Sequence, residues 1–409
     1  MSQSLSQIYD YAIIGCGLMG SAATKYIADS VQYTGKTVIA VGQAEPPNTR
    51  THTGVFASHY DQGRLTYQLS NDAVWTYLGR EAIAQYANIE RRSGIRFHGA
   101  VGRVSAVPKS ALDSLAYRFE TAMRENIPYF RYDAGGEIWK INFPFLDFPD
   151  DFVVLHEPAP AGYVNPRQLV AAQLTVAEQA GTRLVRDVVV GVDDGADGVQ
   201  MRLQGMNEPV VAKQVLVASG AFTNFNALLP RPIPLKIKTE TIVLGKVSAE
   251  VAQRLTAMPI VTYTVDDPDI ADIYMAPPLQ YPDGDFYIKM GANTRADMWP
   301  ETLAEINEWF HHGDSDACKP ALADALRSML PDVKFDETVS RRCIVCYTPS
   351  RVPTIDWVDD TQRFLVVTGG NGAGAKGSDT IGRLAAGVMV DGTWPDELDR
   401  EPFRLGGNQ

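Results

Sequence analysis

Residues 9–20 read YDYAIIGCGLMG, a short apolar run that leads directly into Gly15, Gly17 and Gly20. The run has strand length, and SAATKYIA after it reads as a helix. Glycines spaced G-x-G-x-x-G between a strand and a helix have separate tasks. Gly15 permits the tight turn, Gly17 lets a pyrophosphate approach the backbone, and Gly20 lets helix and strand pack closely. The phosphates then meet the helix N-terminus, where N–H groups and the dipole favour negative charge. Leu18 and Met19 lie within the same loop. The stretch therefore predicts a dinucleotide grip at the start of an α/β domain. A second strand follows at 36–41, KTVIAV, and there the pattern departs. An acid is expected after it to hold the adenosine ribose, but Gly42 occupies the position. Either Glu45, the nearest acid, reaches back or the ribose is held by backbone.

The 409 residues exceed one compact core, so two domains are expected. The net charge of −12 argues against nucleic acid or an anionic membrane as partner. No apolar run approaches transmembrane length, and the first residues lack the basic and apolar regions of a secretory signal. Four cysteines, Cys16, Cys318, Cys343 and Cys346, form no disulfide framework and fit a reducing cytoplasm. Cys343 and Cys346 have C-x-x-C spacing, but without a second pair or nearby histidines no metal site is expected.

Outward from the loop, 65–90 reads as a helix, 94–107 as strand, and 111–126 as an amphipathic helix. Asn165 and Pro166 open a helix that stops at Gly181. Short strands follow, and 235–291 reads as antiparallel strands. Residues 364–392 form a buried strand, a glycine-rich turn and a helix. The resulting fold class is α/β with an α+β second domain. A Rossmann-like nucleotide-binding domain is built from discontinuous segments, 1–92, 152–228 and 340–409. A mostly antiparallel sheet domain, for substrate, comprises 93–151 and 229–339.

Seven segments in order carry a resemblance: GCGLMG, PPNTRTHTG, GYVNPRQLVAA, VLVASGAFTN, FYIKMG, CYTPSRVPTID and TGGNGAGAKGS. Together they resemble the FAD-dependent amine oxidases of the D-amino-acid oxidase superfamily, and are most similar to monomeric sarcosine oxidase and N-methyltryptophan oxidase. The resemblance implies FAD as cofactor, held by Gly15, Gly17, Leu18, Met19, Gly20, Glu45, His52, Thr53, Val190, Ser219, Gly220, Gly370, Gly372, Gly374 and Lys376. It implies oxidation of a small amine, secondary or N-methylated, or of an amino acid. A hydride equivalent passes to flavin N5, the imine product hydrolyses, and O2 restores the flavin with release of hydrogen peroxide. Lys289 matches the lysine that stabilises superoxide beside the flavin, an effect on the order of a thousandfold in a water-poor pocket. Lys376, at a helix start that disfavours cations, matches a lysine facing the flavin and the substrate carboxylate. Tyr347 matches a pocket residue. Met275 and Asn293 stand where relatives have tyrosine and histidine, which implies a different substrate.

Other departures concern the loop under the flavin. Relatives that take N-methyl amino acids have a histidine pair and then arginines that clamp the carboxylate. Here only His52 of the pair is present, beside Thr53, and the clamp positions fall on Gly54 and Ala57. Either Lys376 acts alone or the substrate lacks that carboxylate. His59 is an extra residue, read as a packed polar group or a catalytic one. The flavin is expected to be non-covalent, because Val345 occupies the position of the attaching cysteine and strand alternation turns Cys346 away; a link through Cys346 stays open. The alternatives are an amine dehydrogenase with another acceptor, a nicotinamide enzyme with a helical second domain, and a non-catalytic flavin protein. A monomer or small homo-oligomer is expected.

Overall fold

The computed structural model describes residues 7–47, 51–265, 267–313 and 315–407. Its first sheet grows from the opening run. Ile8–Ile14 lies at the centre, between Val210–Val217 and Val38–Val41, parallel to both. Arg183–Val185 continues one side in parallel, and Phe364–Thr368 pairs in parallel with Val210–Val217. Val38–Val41 and Phe364–Thr368 are buried at every residue, as expected for strands covered on both faces. Antiparallel strands Val189–Gly195, Gly198–Leu203 and Thr354–Trp357 complete eight.

Helices Leu18–Val31, Ala73–Ser93, Pro166–Gln179 and Gly374–Val390 pack beside this sheet. Small residues set the closest crossing: a Cβ on Gly382 would stand 2.4 Å from that of Ala22. A buried polar network fixes the alignment. Lys25 donates to Asp379 Oδ1 at 2.6 Å, Tyr26 donates to Oδ2 at 2.7 Å, and Gln173 joins at 3.0 Å. Such a network adds geometric specificity more than net stability. Asn165 caps its helix by accepting from Gln168 N at 3.1 Å, as expected.

The second sheet also has eight strands, in the order Glu337–Tyr347, Lys236–Val247, Phe286–Thr294, Ile270–Gln280, Ile260–Tyr263, Arg103–Pro108, Phe152–Glu157 and Phe130–Tyr132. All its pairings are antiparallel except that of Ile260–Tyr263 with Arg103–Pro108. This strand-rich second layer does not fit the helical second domain of the nicotinamide alternative. Strands Arg64–Thr66, Gly162–Val164 and His98–Gly99 form a small third sheet.

Several expected boundaries move. Phe152–Glu157 and Glu337–Tyr347 pair within the second sheet, so the expected cut at 340 falls inside one of its strands and that at 152 falls just before another. The helix expected from Leu65 begins at Ala73, because Leu65 and Thr66 pair with Tyr163 and Gly162. Asp72 caps the later start by accepting from Trp75 N at 2.8 Å. The segment 111–126 divides into a 3-10 stretch, Lys109–Leu115, and a helix, Ala116–Arg124. No helix among the described residues is long and apolar enough to cross a membrane.

Candidate functional site

A cavity of about 790 Å3 runs from the glycine loop to the second sheet. At the loop end the three glycines have distinct steric reasons. Gly15 has φ +99°, and a Cβ there would lie 2.6 Å from the Ala218 carbonyl oxygen. A Cβ on Gly20 would lie 1.8 Å from the Gly15 carbonyl oxygen. Gly17 is open, with only His59 Nδ1 near its would-be Cβ, at 3.9 Å. Gly17 is also the N-cap of Leu18–Val31 and makes no side-chain cap bond. The first N–H groups of that helix therefore face the cavity without a capping acceptor.

Gly15, Gly17, Leu18, Met19, Ser219, Gly220, Gly370, Gly372, Gly374 and Lys376 all line the cavity. Gly20 does not; it acts in the packing beneath. Four expected cofactor residues stand elsewhere. Glu45 is held in a bidentate ion pair by Arg167, at 2.6 and 2.8 Å, away from the wall. Gln43 takes the wall position instead, fixed by Val55 O at 2.7 Å and the Tyr60 hydroxyl at 3.1 Å. The missing acid at Gly42 has a steric cause: a Cβ there would stand 2.6 Å from Cys16. His52 is turned to Val55 O at 2.8 Å, Thr53 is exposed, and neither reaches the wall. Val190 is 40% exposed, and its neighbours Val188 and Val189 border the cavity. Residues 48–50 of the segment expected under the flavin lie outside the described residues.

His59 lies at the loop end, not among the groups at the opposite end. Its Nδ1 is buried and has no hydrogen-bond partner. Burial, reinforced by Arg167, Arg186 and Arg64, pushes its pKa down to about 4, so the ring is neutral at pH 7. Below pH 6.5 the unfolded chain takes up a proton that the folded ring refuses until about pH 4. Stability of the apoprotein therefore falls across that window, by up to about 3 kcal/mol from this residue. His59→Gln should flatten that acid limb in urea titrations at pH 7 and pH 5; an unchanged slope would contradict this origin.

At the opposite end Lys376 is 3% exposed and donates to Ser70 Oγ at 2.6 Å. Its ammonium lies 4.1 Å over the Tyr67 ring and 5.5 Å from that of Trp75. Burial pulls its pKa down, and the Tyr67 hydroxyl opposes this. Tyr347 borders the cavity, with Arg351 over its ring at 4.6 Å. Asn293 also borders it, accepting from Lys238 at 2.7 Å and donating to Asp272 at 3.0 Å. Met275 is fully buried in the core of the second sheet and does not face the cavity. Val345 and Cys346 both line the cavity, so strand alternation does not remove Cys346 from it.

Lys289 is 1% exposed. It sits behind the wall, donating to Asp61 Oδ2 at 2.6 Å and Gly63 O at 3.0 Å. Tyr274, which does line the wall, has its ring 5.5 Å from the ammonium. Asp61 also pairs with Arg64 and accepts from the Tyr281 hydroxyl at 2.8 Å. Burial, then the Arg64 charge, pull the Lys289 pKa down, with Cys343 and Glu240 acting against them.

Sequence reading did not single out Tyr67, Arg103 or Arg118, all on the cavity wall. Arg103 carried one signal, a charge opening an apolar strand; Arg118 carried none. No group of His, Cys, Asp and Glu among the described residues could hold a metal ion.

Comparison with known proteins agrees with this geometry. Residues 10–387 match the family DAO, FAD dependent oxidoreductase. Monomeric sarcosine oxidase from Streptomyces avermitilis is 25% identical over 398 residues, covering 95% of each chain. N-methyl-L-tryptophan oxidase from Yersinia pestis is 21% identical over 401 residues, covering 97% of this chain and 98% of the relative. Among solved structures, the open form of NikD, an unusual amino acid oxidase essential for nikkomycin biosynthesis, superposes with TM-score 0.73 at 18% identity, covering 98% of each chain. A strand-flanked glycine loop, a cavity that it opens and a match across most of the chain lead to one assignment: the chain belongs to the DAO family of FAD-dependent oxidoreductases.

Proposed function

We propose that the protein oxidises a small amine, secondary or N-methylated, or an amino acid, and returns the electrons to O2 as hydrogen peroxide. The observation that carries this reading is one cavity that joins the glycine loop to the buried Lys376 and to Tyr67. The sarcosine and N-methyltryptophan oxidases among its relatives supply the substrate class.

The residues fit FAD. Gly15 and Gly20 leave no room for side chains, Gly17 leaves room for a phosphate, and the uncapped helix end offers donors. Gln43 and Val189 would border the adenosine half, and Gly370, Gly372 and Gly374 the ring half. Non-covalent binding is favoured by Val345 at the attaching position. When bound, FAD supplies a two-electron acceptor for the carbon–nitrogen bond and a path from there to oxygen.

The chain's own work is to bind and orient. Lys376 and the Gly374–Val390 helix N-terminus would face the same negative edge of the ring. Tyr347 and Asn293 would shape the amine pocket. Lys289 would act on oxygen through its charge.

A second reading, transfer to an acceptor other than oxygen, draws on the Lys289–Asp61 pair. That pair offsets the charge the oxygen role requires. The two readings separate in one assay of the purified holoenzyme across N-methyl and cyclic amino acids. Peroxide equal to amine consumed supports the oxidase. Turnover only with an added quinone or dye, without peroxide, supports the dehydrogenase.

A further inference from the structure

Charge at the far end of the cavity is unbalanced. Lys376 Nζ lies 4.1 Å from the Tyr67 ring centroid and the Arg103 guanidinium 3.9 Å from it. Arg118, from the helix Ala116–Arg124, lines the same wall. Burial alone would raise the Tyr67 phenol, yet Lys376, Arg103 and Arg118 bring its pKa down to about 8.

These cations are not equally compensated. Arg103, 2% exposed, donates to Leu69 O at 2.9 Å and Thr262 Oγ1 at 3.1 Å, with Glu157 at 3.9 Å. Lys376 has the Ser70 and Tyr67 hydroxyls and the more distant Asp72 charge. The strongest influences on Arg118 besides burial are the Arg103 charge, which opposes its own, and the phenols of Tyr129 and Tyr67, of which Tyr129 also hydrogen-bonds it. Its Nε is buried and has no hydrogen-bond partner. A half-buried guanidinium whose Nε is out of reach of water, beside a second guanidinium, is costly unless an anion joins it. The carboxylates of the cavity wall are engaged elsewhere. Glu240 accepts from the Tyr274 hydroxyl at 2.9 Å, Asp272 from Asn293 at 3.0 Å, and Asp187 from Val188 N at 2.7 Å.

We propose that Arg118, backed by Arg103 and facing Lys376, binds a carboxylate of the amine substrate. The clamp has then moved from the loop, where Gly54 and Ala57 stand, to the first helix and strand of the substrate layer. A planar guanidinium with an unpaired Nε suits the parallel bonds that a carboxylate accepts. The proposal rests on the amine-oxidising reading and narrows it to amines that carry a carboxylate.

Titration of the purified holoenzyme with acetate and glutarate, followed by calorimetry and by the flavin spectrum, tests it without turnover. Acetamide is the neutral control. The carboxylates should bind and acetamide should not. Arg118→Gln should loosen carboxylate binding on the order of tenfold or more, with Arg118→Lys restoring part. Flavin content and thermal midpoint should stay near wild type, which separates binding from folding. In turnover, Arg118→Gln should raise KM for carboxylate-bearing amines more than it lowers kcat. Equal binding by wild type and Arg118→Gln, or equal binding of acetate and acetamide, overturns the proposal. Carboxylate binding that depends on Arg118 in a protein inert to amines would uphold the site and sink the oxidation reading alone.

Discussion

Gly20→Val yields protein without bound flavin. The first carbon of any side chain at this position falls 1.8 Å from the Gly15 carbonyl oxygen and 3.0 Å from the Ala218 Cβ. Both neighbours belong to the floor of the phosphate loop, and Gly15 itself is held at φ +99°. Relief requires the helix Leu18–Val31 to move off the strand Ile8–Ile14, which carries the uncapped N–H groups away from the cavity. Overpacking of this kind costs about 1–3 kcal/mol where neighbours can yield, and more where they are backbone. Gly17→Ala is the contrasting case, because its new methyl meets only His59 Nδ1 at 3.9 Å. That variant should fold with near wild-type stability and lose flavin affinity alone. Flavin-to-protein ratio and urea midpoint, measured on both variants, check the pair. Full flavin content in Gly20→Val would contradict the close-packing role.

Asp61→Asn destabilises the fold more than Lys289→Met does. Asp61 is the acceptor for two cations, Lys289 at 2.6 Å and Arg64, and its removal leaves both without a carboxylate. Lys289→Met leaves Asp61 still paired with Arg64 and still accepting from Tyr281. Removing one partner of a buried ion pair costs roughly 3–5 kcal/mol, largely for the charge left behind. The Asp61→Asn loss should approach that figure, with a smaller loss for Lys289→Met. The double variant should recover part of the difference, because the stranded ammonium is gone. Urea titration of the apoproteins gives the cycle. An Asp61→Asn protein within about 0.5 kcal/mol of wild type would show that the pair contributes little.

The parts of the site legible in sequence are those fixed by local geometry. Gly15 and Gly20 could be read because the constraint on each comes from residues in the same turn and one neighbouring strand, and Gly17 because it stands between them. The start of the helix at Asn165 and Pro166 was legible for the same reason. Glu45 was misplaced because its partner, Arg167, lies 122 residues away, and an ion pair at that separation leaves no local trace. Val190 missed the wall by one residue, which on a strand reverses the face. Asp61 as the partner of Lys289 left no local trace, because the two lie 228 residues apart. Arg118 had no signal, since YRFE on a helix reads equally as a solvated face. Which sheet Phe152–Glu157 and Glu337–Tyr347 join was not legible, because an apolar strand shows its length but not its partner.

The central claim is that one cavity holds FAD at the glycine loop and presents an amine to it at the Lys376 end. The direct test is the visible spectrum of the purified protein, before and after anaerobic addition of an N-methyl amino acid. The account predicts a flavin spectrum near one FAD per chain, released by acid, that bleaches on mixing and returns with air. A colourless protein that binds a nicotinamide dinucleotide instead, or a flavin spectrum that no amine bleaches, would contradict it.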